Sequence, residues 1–154
     1  MENDRLTPIE QTIITIDRIC ETNALAYVII GGIANAVYGS GRTTIDIDLV
    51  VQVDIESIVH VYKHFSAEFT PLGHDPLEFF EVNFVLPCRH KTLGTKVDVS
   101  ATLSEFERRA IRRGKLLPYG ETKARFCSPE DLILFKLAAH RDRDIVDVKD
   151  ILRR

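Results

Sequence analysis

Several familiar chemistries are missing from these 154 residues. No apolar run approaches the roughly 20 residues that span a bilayer. The first residues carry no apolar signal segment, so a cytoplasmic protein without membrane contact is the expectation. Cysteine is scarce. Cys20, Cys88 and Cys127 stand far apart, match no metal-binding spacing and leave one thiol over in any disulfide scheme, which points to a reducing compartment. Neither sign of charge dominates: a net charge of -3 argues against a generally basic nucleic-acid coat but leaves room for a local basic groove. The histidines form no ligand set. His60 and His64 are four apart without the acid of a zinc-protease motif, and His74, His90 and His140 are isolated. Also absent are a serine elbow, a phosphate loop ending in Gly-Lys-Ser/Thr, a dinucleotide glycine fingerprint, an internal repeat and a low-complexity tract.

What is present is 45% apolar content, enough for one compact domain with a substantial core. The informative stretch runs from Tyr27 to Val53. Tyr27 to Ile30 form a short strand-like run that Gly31-Gly32 breaks. Two residues without side chains let a phosphate approach the backbone, and the N–H groups that follow open a helix whose positive end favours an anion. Ile33 to Tyr38 fit that helix, and Gly39-Ser40-Gly41 ends it. Over Ile45 to Val51, period-two alternation puts Ile45, Ile47 and Leu49 on one face and Asp46 and Asp48 together on the other. Adjacent carboxylates repel and add nothing to a core. A divalent cation between them, magnesium or manganese with oxygen ligands, explains the pair most simply; an edge strand with one wet face is the alternative.

Helices and strands alternate around this centre. Thr7 as N-cap, Pro8 at the first helical position and Glu10 closing a capping box start a helix whose stripe is Ile9, Ile13, Ile16 and Cys20 and which stops near Asn23. Asp54 can cap a second, in which Ile55, Ile58, Val59, Tyr62 and Phe65 recur at helical spacing. Phe69 to Leu72 read as a short strand before the turn Gly73-His74-Asp75-Pro76. Alternation from Phe79 to Leu86 predicts a strand ended by Pro87, and Cys88 to Thr95 a hairpin or loop. Thr95 to Ser100 is the next strand, with Val97 and Val99 inward and Asp98 opposite. If it neighbours the Asp46/Asp48 strand, three carboxylates converge and can hold two metals, which suits in-line phosphoryl or nucleotidyl displacement. Alone, Asp98 reads equally well as a solvated strand residue.

Leu103 to Ile111 is helical by pattern, and Arg108, Arg109, Arg112, Arg113 and Lys115 form either a solvated face or an RNA backbone contact. Lys123 to Cys127 suggests a last strand. Ser128 then caps a helix reaching Ala139 that is apolar on nearly every side, which predicts that it is mostly buried. Lys136 within it must pair, with phosphate oxygens or with the carboxylate cluster, or snorkel to solvent. The final helix, roughly Asp142 to Arg153, packs through Ile145, Val148, Ile151 and Leu152, and Asp144 or Asp147 could pair with Lys136 or Arg141.

Gly31-Gly32, thirteen intervening residues and Asp46-x-Asp48 resemble the minimal signature of the DNA polymerase β-like nucleotidyltransferase superfamily, and Asp98 in KVDVS resembles its third carboxylate. The fuller run Tyr38-Gly39-x-x-Arg42-x-Thr44-x-Asp46-x-Asp48 is similar to stand-alone and toxin–antitoxin nucleotidyltransferases of bacteria and archaea. The tail PEDLILFKLAAHRDRDIVDVKDIL is similar to the abortive-infection type. The resemblance implies an α/β (α+β) nucleotidyltransferase fold, a small mixed sheet flanked by helices. Residues 1–154 would form a single domain, with the C-terminal helices of about 129–153 packed on its core. It further implies an enzyme that moves a nucleoside monophosphate from a nucleoside triphosphate, ATP among them, to a hydroxyl and releases pyrophosphate. By the same resemblance Gly31 and Gly32 hold phosphates with Arg42 and Thr44 alongside, and Asp46, Asp48 and Asp98 hold Mg2+ or Mn2+. Lys136 contacts the phosphates, and Asp147 sits close to the site. The acceptor would be the 3′ end of tRNA, a tyrosine on a cognate toxin or antitoxin protein, or a small molecule. Two alternatives stay open: a nucleotide-binding regulatory protein of the same fold without turnover, and a metal-dependent phosphatase or nuclease.

Overall fold

The capping box read at the N-terminus is formed. Thr7 Oγ1 accepts from the Glu10 N–H at 3.2 Å, and the Glu10 carboxylate accepts from the Thr7 N–H at 2.6 Å. A computed structural model describes residues 5–39, 45–139 and 142–153. In chain order it contains α1 (Pro8–Thr22), β1 (Tyr27–Ile30), α2 (Gly31–Tyr38) and β2 (Ile47–Val51), then a 3-10 turn at Ile55–Ser57. There follow α3 (Ile58–Glu68), β3 (Phe69–Pro71), α4 (Pro76–Asn83), β4 (Val85–His90) and β5 (Lys96–Ala101). The chain continues through α5 (Glu105–Arg113), β6 (Lys115–Tyr119), β7 (Thr122–Phe126), α6 (Pro129–Ala139) and α7 (Asp142–Leu152).

Among the described residues the strands form one seven-stranded mixed sheet in the order β3-β4-β5-β2-β1-β7-β6. The β2–β5 and β1–β7 pairs are parallel and the others antiparallel. Each outermost strand carries a proline, Pro71 in β3 and Pro118 in β6, which blunts further pairing along the edge. One sheet face is the core: Ile47, Leu49, Leu86, Cys88, Val97 and Val99 are fully buried. They join Ile13 and Ile16 of α1 and Val61 and Phe65 of α3 in one cluster. Burying a side chain of the size of Phe65, Phe69, Phe80 or Phe126 contributes about 1.5–3 kcal/mol each. On β2 the alternation fails after Asp48, because Val50 is buried too: α2 covers the opposite face of that strand. The three thiols lie unpaired in the interior, where burial pushes each up to about 12 and leaves it inert at neutral pH. Among the described residues no helix is long and apolar enough to cross a membrane.

Four expectations are corrected. Phe79–Asn83 is helical, not part of a strand. Asp75 caps α4 by accepting from the Glu78 N–H at 3.2 Å, Pro76 takes the first helical position, and strand β4 begins only at Val85 and runs through Pro87. The apparent alternation was incidental, since Phe80 is buried while Val82 is 67% exposed. Helix α3 starts later than expected and buries Ile58, Val61 and Phe65, whereas Ile55 and Val59 face outward and Asp54 makes no side-chain cap. Helix α6 is not mostly buried: Leu134 and Leu137 are each 49% exposed, and its inner face is Asp131, Leu132 and Lys136. In α7 the inner face is Asp147, Val148 and Ile151, with Leu152 outside. Strand β6 was not anticipated; it pairs with β7 through a turn at Gly120.

Candidate active site

Strand β1 runs into α2 without an intervening loop, so Gly31 must turn the chain, and its φ of +69° is one that glycine adopts without strain. Glycine is required for a second reason. A Cβ at this position would lie on the carboxylate of Asp48, which belongs to the neighbouring strand. Ile30 precedes the helix without a side-chain cap. The first N–H groups of α2, with Gly32 among them, are thus left to backbone, water or ligand.

Asp48 is in register with Ile30 on β1 and with Asp98 on β5. The expected convergence of these two carboxylates therefore occurs: the sheet places Asp48 between the glycine turn and Asp98. Register partners in adjacent strands point to the same face, so both carboxylates lie opposite the core. Burial is the main reason that the Asp48 carboxyl rises to about 6; the nearby Asp98 charge adds to it, Lys96 opposes it, and Asp46 and a hydrogen bond with Asp98 raise it further. Asp46 precedes β2 and is half-buried beside the pair. Lys96, two residues before Asp98 and hence on the same face, holds both Asp98 oxygens at 3.1 Å. Sequence reasoning passed over Lys96. Its period-two relation to Asp98 was the available signal.

Lys136 does not snorkel. It is 5% exposed, and its Nζ donates to Asp147 Oδ2 at 2.9 Å, also in the interior. Of the partners considered for Lys136, Asp147 is one that the described residues show. Helices α6 and α7, which carry the two groups, both pack against α2, the helix that begins at Gly31. Tyr38 at the far end of α2 ties it down by donating to the Cys127 carbonyl at 2.7 Å. Two further buried polar atoms in this layer, Asn35 Oδ1 on α2 and Asp131 Oδ2 on α6, have no hydrogen-bond partner among the described residues. Asn35, inside a short apolar helix, was also missed. Arg42, Thr44 and the side chain of Asp144 fall outside the described residues, as does Arg141.

Among the described residues no group of three or more His, Cys, Asp and Glu side chains forms a ready-made metal cage. The donor set nevertheless fits a hard divalent cation. Burial and the neighbouring Asp98 and Asp46 charges raise the Asp48 carboxyl, and a cation bound there would relieve the same repulsion. Exposed His60 and His64 lie on α3, their Nε2 atoms 3.0 Å apart.

A glycine turn opening a helix, beside paired acids at the centre of a mixed sheet, defines the nucleotidyltransferase fold, and solved structures agree. An antigenic nucleotidyltransferase-like protein from Paracoccidioides brasiliensis matches with a TM-score of 0.61 at 18% identity, over 94% of this chain and 74% of its own. LnuA, a lincosamide antibiotic adenylyltransferase solved with lincomycin bound, matches with 0.61 at 16% identity over 92% and 95%. ANT(2")-Ia, solved with adenylyl-2"-tobramycin, matches with 0.64 at 13% identity over 94% and 88%. No curated protein matches the sequence. Residues 4–152 match the family model described as nucleotidyltransferase of unknown function (DUF6036), and the chain belongs to that family.

Proposed function

We propose that this chain transfers a nucleoside monophosphate from a nucleoside triphosphate to a hydroxyl acceptor and releases pyrophosphate. The observation that carries the reading is the register of Asp48 with Asp98, one strand away from a glycine that only an absent side chain permits. Asp46, Asp48 and Asp98 are the residues that would hold Mg2+ or Mn2+. Such a cation, when bound, supplies neutralisation of phosphate charge and alignment of the triphosphate.

The chain's own groups divide the remaining work. The N–H groups at the start of α2, Gly32 among them, favour an anion and would contact the β and γ phosphates, while the missing side chain of Gly31 makes room for Asp48. Lys136 supplies a buried positive charge to the phosphates, and Asp147 keeps its ammonium in place. Arg42 and Thr44 are further phosphate contacts on the sequence motif alone. Asp98 accepts the proton of the attacking hydroxyl. The hydroxyl oxygen bonds to the α-phosphorus, the bond from that phosphorus to the α–β bridging oxygen breaks, and its electron pair leaves with pyrophosphate.

The acceptor is a small molecule, the 3′ end of tRNA, or a tyrosine on a cognate toxin or antitoxin protein. The small-molecule option is favoured by the antibiotic ligands of LnuA and ANT(2")-Ia. Incubation with labelled nucleoside triphosphates, magnesium and each acceptor class should transfer label to one of them, and D46A/D48A should abolish transfer while leaving the circular dichroism unchanged. Triphosphate binding without transfer to any acceptor would favour the regulatory alternative. Cleavage of nucleic acid without triphosphate would favour a nuclease.

A further inference from the structure

Beyond Asp98 the sheet continues to β4, β3 and α4, and there the molecule has an open groove of about 580 Å³. That is the size of a small-molecule site. Its wall on the sheet is Pro87, the register partner of Asp98. Antiparallel partners face the same side with Cα atoms about 4.5–5.5 Å apart, so the Pro87 wall stands beside Asp98, whose two oxygens Lys96 holds. Across it, α4 presents Phe79 and Val82, both exposed, and its rim bears Asp75, Glu78 and His74. No lysine or arginine is among the described residues lining it. Arg89 shares the Pro87 face, but its guanidinium donates to the Gly94 carbonyl at 3.2 Å, back over the hairpin turn. One Asp75 oxygen is committed to the cap of α4, so Glu78 is the rim carboxylate with both oxygens available, and the charge of Asp75 adds to it.

The geometry points to this groove as the acceptor subsite, taking a small hydroxylated organic cation. The inference rests on the transfer reading above and adds a side and a charge to it. In an in-line displacement the nucleophile enters opposite the leaving group. The glycine turn that would hold the leaving phosphates lies on the β1 side of Asp48; the groove lies on the β4 side of Asp98. An acceptor seated against Phe79, Val82 and Pro87, with its amine toward Glu78, therefore brings a hydroxyl to Asp98 from the side that the chemistry requires. The acidic rim and apolar floor select an amine with an apolar face over a polyanion such as RNA.

The test uses isothermal titration of the full chain in saturating MgATP, with tobramycin and lincomycin as amine-bearing polyols and maltose as a neutral one. The amines should bind at least about tenfold more tightly than maltose, the scale of one charge-assisted hydrogen bond. Glu78→Gln and Val82→Arg should each weaken amine binding about tenfold or more, with MgATP affinity and circular dichroism unchanged. Amines that bind no better than maltose, or equally well to Val82→Arg, would overturn the assignment. So would a tRNA or protein acceptor labelled by Val82→Arg at the wild-type rate. Amine binding that Val82→Arg abolishes, in a protein that binds no MgATP, would sink the transfer reading and leave the groove standing.

Discussion

Two carboxylates in register on neighbouring parallel strands repel each other, and here a proton relieves the repulsion. Burial first, then Asp98, raises the Asp48 carboxyl from an ordinary 3.8 to about 6. Because the folded state binds this proton more tightly than the unfolded chain does, the contribution to stability is complete below about pH 4 and lost as pH rises through about 6. The loss is on the order of 2–3 kcal/mol. Urea melts of the metal-free protein should therefore weaken between pH 4 and pH 7, magnesium should restore part of the difference, and Asp48→Asn should flatten both effects. Gly31 is bound to the same residue. Gly31→Ala should cost about 1–2 kcal/mol from its φ alone, plus the collision with Asp48. An Asp48→Ala background removes the collision with the carboxylate but keeps the 3.0 Å approach to the Cβ of residue 48, so a double-mutant cycle should give a coupling of the order of 1 kcal/mol.

Among elements, a buried ion pair joins α6 to α7 within the described residues. Removing one partner takes this pairing away from a buried charge: Lys136→Met and Asp147→Leu should each cost about 3–5 kcal/mol, and the double variant less than the sum of the two, read from chemical denaturation of the three variants. The cap of α4 is exposed, and Asp75→Ala should cost about 1 kcal/mol. These elements also mark how far the sequence could be read. Thr7 and Ser128 announced their helices, because a capping side chain acts on its own backbone and needs no tertiary partner. Asp46 and Asp48 were legible because acids inside an apolar strand violate a local rule, and Asp98 followed from the same pattern. The stretch from Phe79 to Leu86 misled. Its apolar residues satisfy period two by accident, and the decisive signal was Asp75-Pro76 upstream, read only as a turn. Lys96 resembled an ordinary surface charge, since its partner is fixed by the face it shares with Asp98.

At the scale of the whole molecule, the mixed sheet sets out an order: glycine turn, Asp48, Asp98, groove. Ligand at one hundred times its dissociation constant stabilises by about 2.7 kcal/mol. Saturating MgATP should accordingly raise the melting temperature on the order of 5 °C or more, and Asp48→Asn combined with Asp98→Asn should remove the shift. The fold tolerates wide sequence change, as the match to ANT(2")-Ia at 13% identity illustrates. In this chain the candidate site is assembled from distant segments: residues 31, 48 and 98 lie in the first two thirds, residue 136 in the last stretch.

That last placement has a consequence during synthesis. A ribosome extrudes the turn and both paired acids well before the helix that carries Lys136, and β7, which docks on β1, is also late. A nascent or prematurely terminated polypeptide would thus own its carboxylates but not its internal ammonium, and under the proposed reaction transfer would begin only after α6 and α7 had emerged and settled.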